Sequence, residues 1–423
     1  MPDTASVASV AERPRRLPLF EPLYRKGFGL FWSSEIVSRC GDEFQTIALA
    51  TVAISLTGRA SALAGILMVQ NLPMVVLLLF GGVMVDRFGA KRVMVATNAT
   101  LGVLAAGLVL LASRGPLAIA HLYAYAVLVG LVRPFFQPAS FSMPPALVTR
   151  EQLPAANSLY RMGIDLSRLA AAPLAGVLVA AWGIAPAFAL NAATFFQAAA
   201  LQARIQLPPP ARSPEPGRPG PLQQIAAGLR FTRQDSVLVG ALAFTALSYL
   251  GFMGAYQVGI AGLAQITLQA GPRGQGILLG AFGAGNLLGT LSAGGVRNFG
   301  RVGRLILLSA LVPLGFVAAG LSTSLALCIP PLVIAGAVQA FLYVAIVVLI
   351  QSRAAPAVRG RVLAMMMMCS MGVYPVSYAL AGLAASLWGP RGVLIGLGSV
   401  MGLVAITVAY SIKEFRNYQL DMR

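Results

Sequence analysis

Apolar stretches of about 20 residues, the length that a helix needs to cross a bilayer, recur along most of this chain. Only helices and closed barrels satisfy their backbone hydrogen bonds in lipid, and barrel strands are shorter and alternate apolar with polar residues. The composition agrees, because 57% of the residues are hydrophobic and 10% are charged. Soluble domains carry roughly 25% charged residues. The chain is therefore predicted to be an all-α integral membrane protein.

The apolar stretches predict twelve transmembrane helices, numbered here in chain order. Six of them precede a proline-rich segment and six follow it. The first six are predicted at residues 27–56, 61–85, 92–112, 116–137, 155–181 and 184–205. The last six are predicted at residues 236–264, 274–295, 302–321, 324–351, 362–388 and 391–411.

The proline-rich segment is predicted to be a flexible linker between two six-helix bundles. Apolar residues recur at helical spacing from Leu222 to Leu229, which indicates either a short helix on the membrane surface or chance periodicity in a loop. The predicted divisions are an N-terminal segment 1–26, a bundle 27–205, a linker 206–235, a bundle 236–411 and a tail 412–423.

An internal repeat supports this division. Leu174-Ala175-Gly176, followed by Trp182-Gly183, lies near the end of predicted helix 5. The same residues recur near the end of helix 11 as Leu380-Ala381-Gly382, followed by Trp388-Gly389. Parallel duplication of a six-helix unit produces such a pattern, so the two bundles are predicted to be pseudo-symmetric.

The distribution of the 31 lysine and arginine residues predicts the orientation. The termini, the linker and the even-numbered connections hold 23 of them, whereas the odd-numbered connections hold Arg59, Arg114, Arg273 and Arg391. By the positive-inside rule, both termini and the linker are predicted to be cytoplasmic, in a bacterial-type cytoplasmic (inner) membrane. Because the basic residues lie between apolar stretches, the net charge of +18 does not predict nucleic-acid binding.

No leader, cofactor or metal is expected. The first 26 residues contain no apolar core, so no cleavable signal peptide is predicted before the first span. Cys40, Cys328 and Cys369 lie far apart within apolar stretches, and His121 is the single histidine, which gives neither a disulfide framework nor a metal-ligand spacing. No phosphate-binding Gly-x-x-x-x-Gly-Lys-Ser/Thr motif occurs, and no enzymatic activity is predicted.

Eight charged residues lie inside predicted helices and away from the helix ends, where an unpartnered charge costs at least roughly 2.5–3.5 kcal/mol. Two interpretations are open. The acids and arginines could simply neutralise one another, or they could form a proton-coupling or substrate-binding site in which burial and neighbouring charges tune a carboxylate. The residues are Glu35, Arg39, Asp42 and Glu43 on helix 1, Arg133 on helix 4, and Arg161, Asp165 and Arg168 on helix 5.

Sequence spacing predicts which of these residues can meet. Arg39 is four residues from Glu35 and Glu43 and three from Asp42, which allows a ladder along one side of helix 1. On helix 5, the carboxylate of Asp165 is within helical reach of both Arg161 and Arg168. Because adjacent residues point roughly 100° apart around a helix, Asp42 and Glu43 are not expected to face the same cavity.

The connection between helices 2 and 3 resembles a signature of the major facilitator superfamily. It reads Gly82-Val-Met-Val-Asp86-Arg87-Phe-Gly89-Ala-Lys91-Arg92 and departs from the signature at Ala90, where a basic residue is usual. Other stretches resemble the drug and siderophore exporter branch, which includes macrolide efflux proteins and the enterobactin exporter. They are Trp32-Ser-Ser-Glu-Ile-Val-Ser38-Arg-Cys-Gly41-Asp42, Leu153-Pro-Ala-Ala-Asn157-Ser158-Leu159 and Arg359-Gly360-Arg361-Val362.

The resemblance covers residues 25–411 and implies the major facilitator fold, with a cavity between the bundles. It makes Asp42, at a Gly-Asp step of the family, the first choice for a coupling residue. In helix 5, Pro173 and Gly176 match a degenerate form of the family's antiporter motif.

For Gly82 to Arg92, the resemblance implies a conformational latch instead of a solvated turn. Gly82 would permit close helix approach, and Asp86 would cap a helix of the other bundle. Arg87 and Lys91 would pair with nearby acids or carbonyl groups, while Gly89 and Arg92 complete the signature. The corresponding turn of the second bundle, residues 294–301, lacks the aspartate.

The predicted function is secondary active export of amphipathic, drug-like small molecules by alternating access, with protons moving in exchange. The predicted partners are thus a small-molecule substrate, protons and the lipid bilayer, and the protein is expected to be monomeric. One alternative is export of a siderophore or another anionic metabolite, which the membrane arginines would bind. Another, from a different class, is a membrane sensor or assembly factor that transports nothing.

Overall fold

The structure, a computed structural model, describes residues 19–207, 230–294, 296, 298–354 and 356–421. The N-terminal residues 1–18 and the surface helix predicted between Leu222 and Leu229 lie outside the described residues. The two bundles on either side of the linker are called the first half and the second half below.

The first half contains six long helices joined by short connections. The helix α4 is followed by a 3-10 turn, Arg133–Phe135, and by a short helix, Phe136–Ser142. Pro134 and Pro138 each remove a backbone donor there, which accounts for the change in helical geometry. The six helices are α1 (Lys26–Thr57), α2 (Ala60–Phe88), α3 (Ala90–Arg114), α4 (Ile119–Val132), α5 (Leu153–Trp182) and α6 (Ile184–Ala203).

The second half contains the corresponding helices, two of which are irregular. The helix α7 continues into two π-helical segments, Ala255–Gly259 and Leu263–Thr267. The helix α12 turns sharply at Gly389. Its first part completes the membrane crossing that α11 begins, and its second part crosses the membrane in the opposite direction. The helices are α7 (Ser236–Gly254), α8 (Gly271–Gly294), α9 (Val302–Ser309 and Leu311–Leu321), α10 (Leu325–Arg353), α11 (Pro356–Gly372) and α12 (Tyr374–Ser411).

Ten helices in the described part of the chain have the length and apolar composition of a membrane span. One of them, at Val358–Val408, includes the turn at Gly389 and therefore accounts for two crossings. The 32-residue α1 is not among the ten, because its charged and polar residues lower its hydropathy. The structure is consistent with the twelve predicted crossings, and the predicted all-α membrane fold is confirmed.

The two halves meet along α5 and α8 and along α2 and α12. At Gly176 of α5, a Cβ atom would lie 2.6 Å from the carbonyl oxygen of Pro272 and 3.1 Å from the Cα atom of Gly276. At Gly382 of α12, a Cβ atom would lie 3.2 Å from the Cβ atom of Ala64 in α2. The glycine of each Leu-Ala-Gly copy thus lies at a contact with the other half.

The backbone after each copy is also repeated. Gly183 has φ 81° and ψ −172°, and Gly389 has φ 69° and ψ −173°. This left-handed conformation favours glycine and reverses the chain at the same point of each half. The repeat seen in the sequence therefore corresponds to a repeated structural element.

The membrane ends of the helices form two faces, which are named here by the connections they carry. The odd face carries the connections that follow α1, α3, α5, α7 and α9, and the even face carries those that follow α2, α4, α8 and α10. At the odd face the halves are in contact, because Gln265 Nε2 of the second half donates to Thr51 Oγ1 of α1 at 3.2 Å. The same Nε2 atom donates to Gln275 Oε1 of α8, within the second half, at 2.6 Å.

The C-terminal residues, predicted to be a tail, pack against the second half at the even face. A strand β1 (Asn298–Arg301) pairs antiparallel with a strand β2 (Gln419–Asp421), and a short helix Lys413–Asn417 precedes β2. Phe415 of this helix is fully buried, with its ring 6.4 Å from that of Phe244. The sequence patterns did not predict either strand, since each is too short to show a period.

We expect Gly176→Leu to destabilise the contact between the halves, because its side chain would have to occupy space that the backbone of α8 fills. Gly107→Leu in α3 is the matched control, because no described atom lies within 4 Å of a Cβ atom there. The midpoint of thermal unfolding in detergent measures the effect. Equal midpoints for the two variants would contradict the tight α5–α8 contact.

A charged central cavity as candidate functional site

A cavity of about 320 Å³ lies between the two halves. Its first-half wall comes mainly from α1, α2 and the region around Arg133, and it combines charged and polar side chains with apolar ones such as Leu63 and Met74. Its second-half wall is formed by apolar, aromatic and amide side chains. The main charged and polar lining residues of the first half are Glu35, Ser38, Arg39, Asp42, Gln45, Gln70, Asn71, Arg133 and Arg168. The lining residues of the second half are Met253, Gln257, Met371, Tyr374 and Tyr378.

Asp42 and Arg133 form an ion pair at the cavity surface. Arg133 Nη2 donates to Asp42 Oδ2 at 2.5 Å, and both side chains are partly exposed. The second carboxylate oxygen, Oδ1, is buried and has no hydrogen-bond partner among the described residues. The regular helix α4 ends just before Arg133, which begins the 3-10 turn. This turn places the guanidinium group of Arg133 beside α1.

Glu35 and Arg39 pair one turn apart on α1, and Tyr160 of α5 joins them. Arg39 Nη2 lies 3.4 Å from Glu35 Oε2 and donates to the Tyr160 hydroxyl at 2.9 Å. The Tyr160 hydroxyl is also 3.2 Å from Ser140 Oγ. Glu35 is buried, so this pair depends on its partners to offset the cost of removing the carboxylate from water.

Glu43 pairs with Arg168 of α5 across a longer distance. Arg168 Nε lies 3.6 Å from Glu43 Oε1, and the guanidinium carbon lies 5.7 Å from the ring centroid of Tyr256 in α7. Arg168 therefore interacts both with an acid of its own half and with an aromatic ring of the other half. Such a cation–π contact is stronger where water is excluded.

Asp165 is fully buried and connects the two halves directly. Its Oδ2 atom accepts a hydrogen bond from Arg161 Nε at 3.3 Å and another from Thr290 Oγ1 of α8 at 2.9 Å. The guanidinium group of Arg161 also lies 4.9 Å from the ring centroid of Tyr343 in α10. Any separation of α5 from α8 at this level must break the Thr290 bond to the carboxylate.

The structure brings all eight predicted charged residues into four separate ion pairs. The predicted ladder around Arg39 does not form, because Arg39 pairs with Glu35 alone while Asp42 and Glu43 take arginines from α4 and α5. Helical spacing allowed the ladder, but the neighbouring helices supplied closer partners. Asp42 lines the cavity, whereas Glu43 lies on another side of α1 and reaches Arg168.

Several polar residues that contact these charges or join the halves were not predicted from the sequence. Tyr160 and Thr290 complete two of the ion pairs, and Gln265 connects the halves at the odd face. Gln45 accepts hydrogen bonds from Tyr125 at 2.7 Å and from Asn191 at 2.5 Å within the first half. Each of these residues is a polar side chain inside a largely apolar helix. Because buried polar groups are nearly always hydrogen-bonded, such side chains could have been predicted to have partners.

The predicted latch residues lie at the even face and form no ion pair with the described residues of the second half. Asp86 and Arg87 are exposed and form no ion pair with any described residue. The guanidinium group of Arg87 lies 5.3 Å from the ring centroid of the adjacent Phe88. At Gly82, where close helix approach was predicted, no described atom lies within 4 Å of a Cβ position.

The remaining signature residues form the turn itself. Gly89 connects α2 to α3 with φ 83°, Lys91 is half-buried, and Arg92 is exposed. In α5, Pro173 and Gly176 both contact α8, where a Cβ atom at Gly280 would lie 2.6 Å from Pro173 Cγ. Among the described residues, no group of three or more His, Cys, Asp or Glu residues is arranged to hold a metal ion.

Comparison with solved structures places this fold among transporters. The structure of a mutant of the nucleoside transporter NupG has a TM-score of 0.73 at 10% identity, covering 90% of this chain and 99% of that one. A bacterial homologue of the iron transporter ferroportin, in an inward-facing state, has a TM-score of 0.68 at 14% identity, covering 92% and 99%. At these identities the likeness concerns the fold alone.

Sequence comparison gives a nearer relative and the family. The enterobactin exporter EntS of Shigella boydii is 32% identical over 245 residues, which are 58% of this chain and 57% of that protein. The match thus spans a little over half of that relative's length. Residues 18–422 match the family described as transmembrane secretion effector, of the major facilitator type. Because that match covers nearly the whole chain, the protein belongs to the transmembrane secretion effector family of the major facilitator superfamily.

Proposed function

We propose that this protein is a secondary active transporter that exports amphipathic small molecules across the cytoplasmic membrane by alternating access. The observation that carries the proposal is the position of the cavity, which is charged and lies between two structurally repeated halves. A hydrogen bond from Gln265 to Thr51 joins the halves at the odd face, while Asp86 and Arg87 of the latch are exposed at the even face and form no ion pair with any described residue. This arrangement supports a state that is open to the even face.

The proposed orientation makes the even face cytoplasmic, with both termini on that side, because the connections there carry most of the lysine and arginine residues. A cysteine placed at the exposed Arg59 would then react with an impermeant maleimide added outside intact cells. A cysteine placed at the exposed Arg92 would react only after the membrane is opened. The reverse labelling pattern would contradict the orientation.

The contacts between the halves suggest how transport is coupled to protons. Asp165 bonds to Thr290, and Arg168 contacts both Glu43 and Tyr256, so both groups have partners in each half. When the halves rotate, Asp165 would lose its hydrogen bond from Thr290 and Arg168 would lose its contact with Tyr256, so the surroundings of these charges would change with the conformation. We assign exchange of protons for substrate to this site, with Asp42 as the principal coupling residue because its side chain is partly exposed at the cavity surface.

The substrate has two candidate classes. Drug-like amphipathic molecules fit the combination of a charged wall with an apolar and aromatic wall. The relation to the enterobactin exporter favours a siderophore as the second candidate. A sensor or assembly factor without transport is the remaining alternative, and it would be supported by a specific protein partner together with no flux of any candidate.

We expect purified protein in liposomes to move a fluorescent amphipathic substrate against its gradient when protons flow in the opposite direction. Asp42→Asn or Glu43→Gln should each reduce this driven transport by about tenfold, which corresponds to about 1.4 kcal/mol. Arg304→Gln, at an exposed position of α9, is the control. Full driven transport in both the Asp42 and Glu43 variants would show that coupling lies elsewhere.

We expect Asp86→Asn to leave membrane insertion and thermal stability unchanged, because Asp86 is exposed and unpaired among the described residues of this state. Transport should fall severalfold if Asp86 caps a helix of the second half when the even face closes. Glu151→Gln, which removes an exposed acid on the same face, provides the comparison. Normal transport by the Asp86 variant would show that the segment is a solvated turn and not a latch.

A further inference from the structure

The cavity is asymmetric in charge. Its lining includes the two carboxylates of Glu35 and Asp42 and the three guanidinium groups of Arg39, Arg133 and Arg168. All five belong to the first half. Among the described residues of the lining, the second half contributes no charged side chain.

In each ion pair at this wall, the arginine is more exposed than its acid. The side chain of Arg39 is 23% exposed and that of Glu35 is 3% exposed. The values are 35% for Arg133 against 20% for Asp42, and 35% for Arg168 against 15% for Glu43. The cavity surface therefore presents mainly N–H donors with positive charge, and the carboxylates lie behind them.

The guanidinium groups also retain donors for a ligand. A guanidinium carries five N–H donors in a fixed planar arrangement. Among the described residues, Arg133 donates to Asp42 through Nη2 alone, and Arg168 approaches Glu43 through Nε. Guanidinium groups with free donors bind carboxylate-like and phosphate-like anions in a bidentate manner.

The opposite wall suits an apolar body. Met253 and Met371 supply flexible thioether side chains, and Tyr374 and Tyr378 supply aromatic rings. A ligand between the walls would place an acidic group on the first half and an aromatic or apolar part on the second half.

We infer that the cavity binds amphipathic anions, with the acidic group held by Arg133 and Arg168 and the apolar part held by Met371 and Tyr374. The inference rests on the proposed transport function and specifies its substrate class. Cationic amphipaths would meet the exposed guanidinium groups first, whereas the carboxylates that could attract them are less accessible.

Three pyrene probes with the same aromatic body test the inference. They are pyrenebutanoate, pyrenebutanol and pyrenebutyl-trimethylammonium, which are anionic, neutral and cationic. Binding to the purified protein is measured by equilibrium dialysis in a neutral detergent, with detergent alone as the blank. We expect the anion to bind about tenfold or more tightly than the cation, as charge-assisted hydrogen bonds to two guanidinium groups should allow.

Variants then locate the site. Arg133→Gln could misfold because it leaves Asp42 unpaired, so the double variant Asp42→Asn with Arg133→Gln is included, which removes both charges together. Both should lose most of the preference for the anion, whereas Arg304→Gln outside the cavity should keep it. Tyr374→Ala should weaken all three probes alike, because the aromatic contact does not depend on charge.

The outcomes separate this inference from the proposed function. Tighter binding of the cation, or an anion preference that survives in the double variant, would overturn the inference. If the cation is nevertheless transported in liposomes, the protein is still an exporter of amphipathic molecules, and only the charge of its substrate class is wrong. If folded protein binds the anion but transports none of the three probes, this result would instead contradict the proposed function.

Discussion

The cost of placing charge inside a membrane governs the arrangement of the first half. An isolated charge at the bilayer centre costs at least roughly 2.5–3.5 kcal/mol, and removal of one partner from a buried pair costs about 3–5 kcal/mol. Four acids on α1 and α5 are each paired with one arginine, and the arginines come from α1, α4 and α5. These pairs fix the relative positions of the three helices that form the charged wall of the cavity.

The second half is built differently. Its wall contributes methionine, glutamine and tyrosine side chains, and its contacts with the charged groups come from Thr290, Tyr256 and Tyr343. One half thus carries the charges, and the other half carries neutral partners that can be exchanged at little cost. A movement between the halves would change the surroundings of Asp165 and Arg168 without separating either from its own ion pair.

Much of this structure could be predicted from the sequence, because the lipid bilayer limits the choices. The apolar stretches gave the helices to within a few residues at most ends, and the Leu-Ala-Gly repeat identified glycines that lie between the halves. Pairing was harder to predict. Spacing along α1 allowed Arg39 to reach three acids, but Arg133 and Arg168 reach two of them across helix boundaries that one-dimensional spacing cannot describe.

Two other features had too little local signal. The π-helical segments of α7 and the pairing of β1 with β2 involve five or fewer residues each, and they depend on contacts formed after the helices assemble. The latch residues were recognisable by resemblance, yet the structure shows them exposed and unpaired among the described residues. A motif that acts in one state of a cycle need not form its contacts in another state.

The central claim is that the two halves alternate between states open to opposite faces. The most direct measurement is the distance between spin labels on cysteines placed at Glu151 of the first half and Arg304 of the second half, both exposed at the even face. The native cysteines would be replaced by alanine, and the protein would be reconstituted in lipid. We expect two distance populations whose ratio changes with pH and with added amphipathic anion. A single distance that stays the same under all these conditions would contradict this claim.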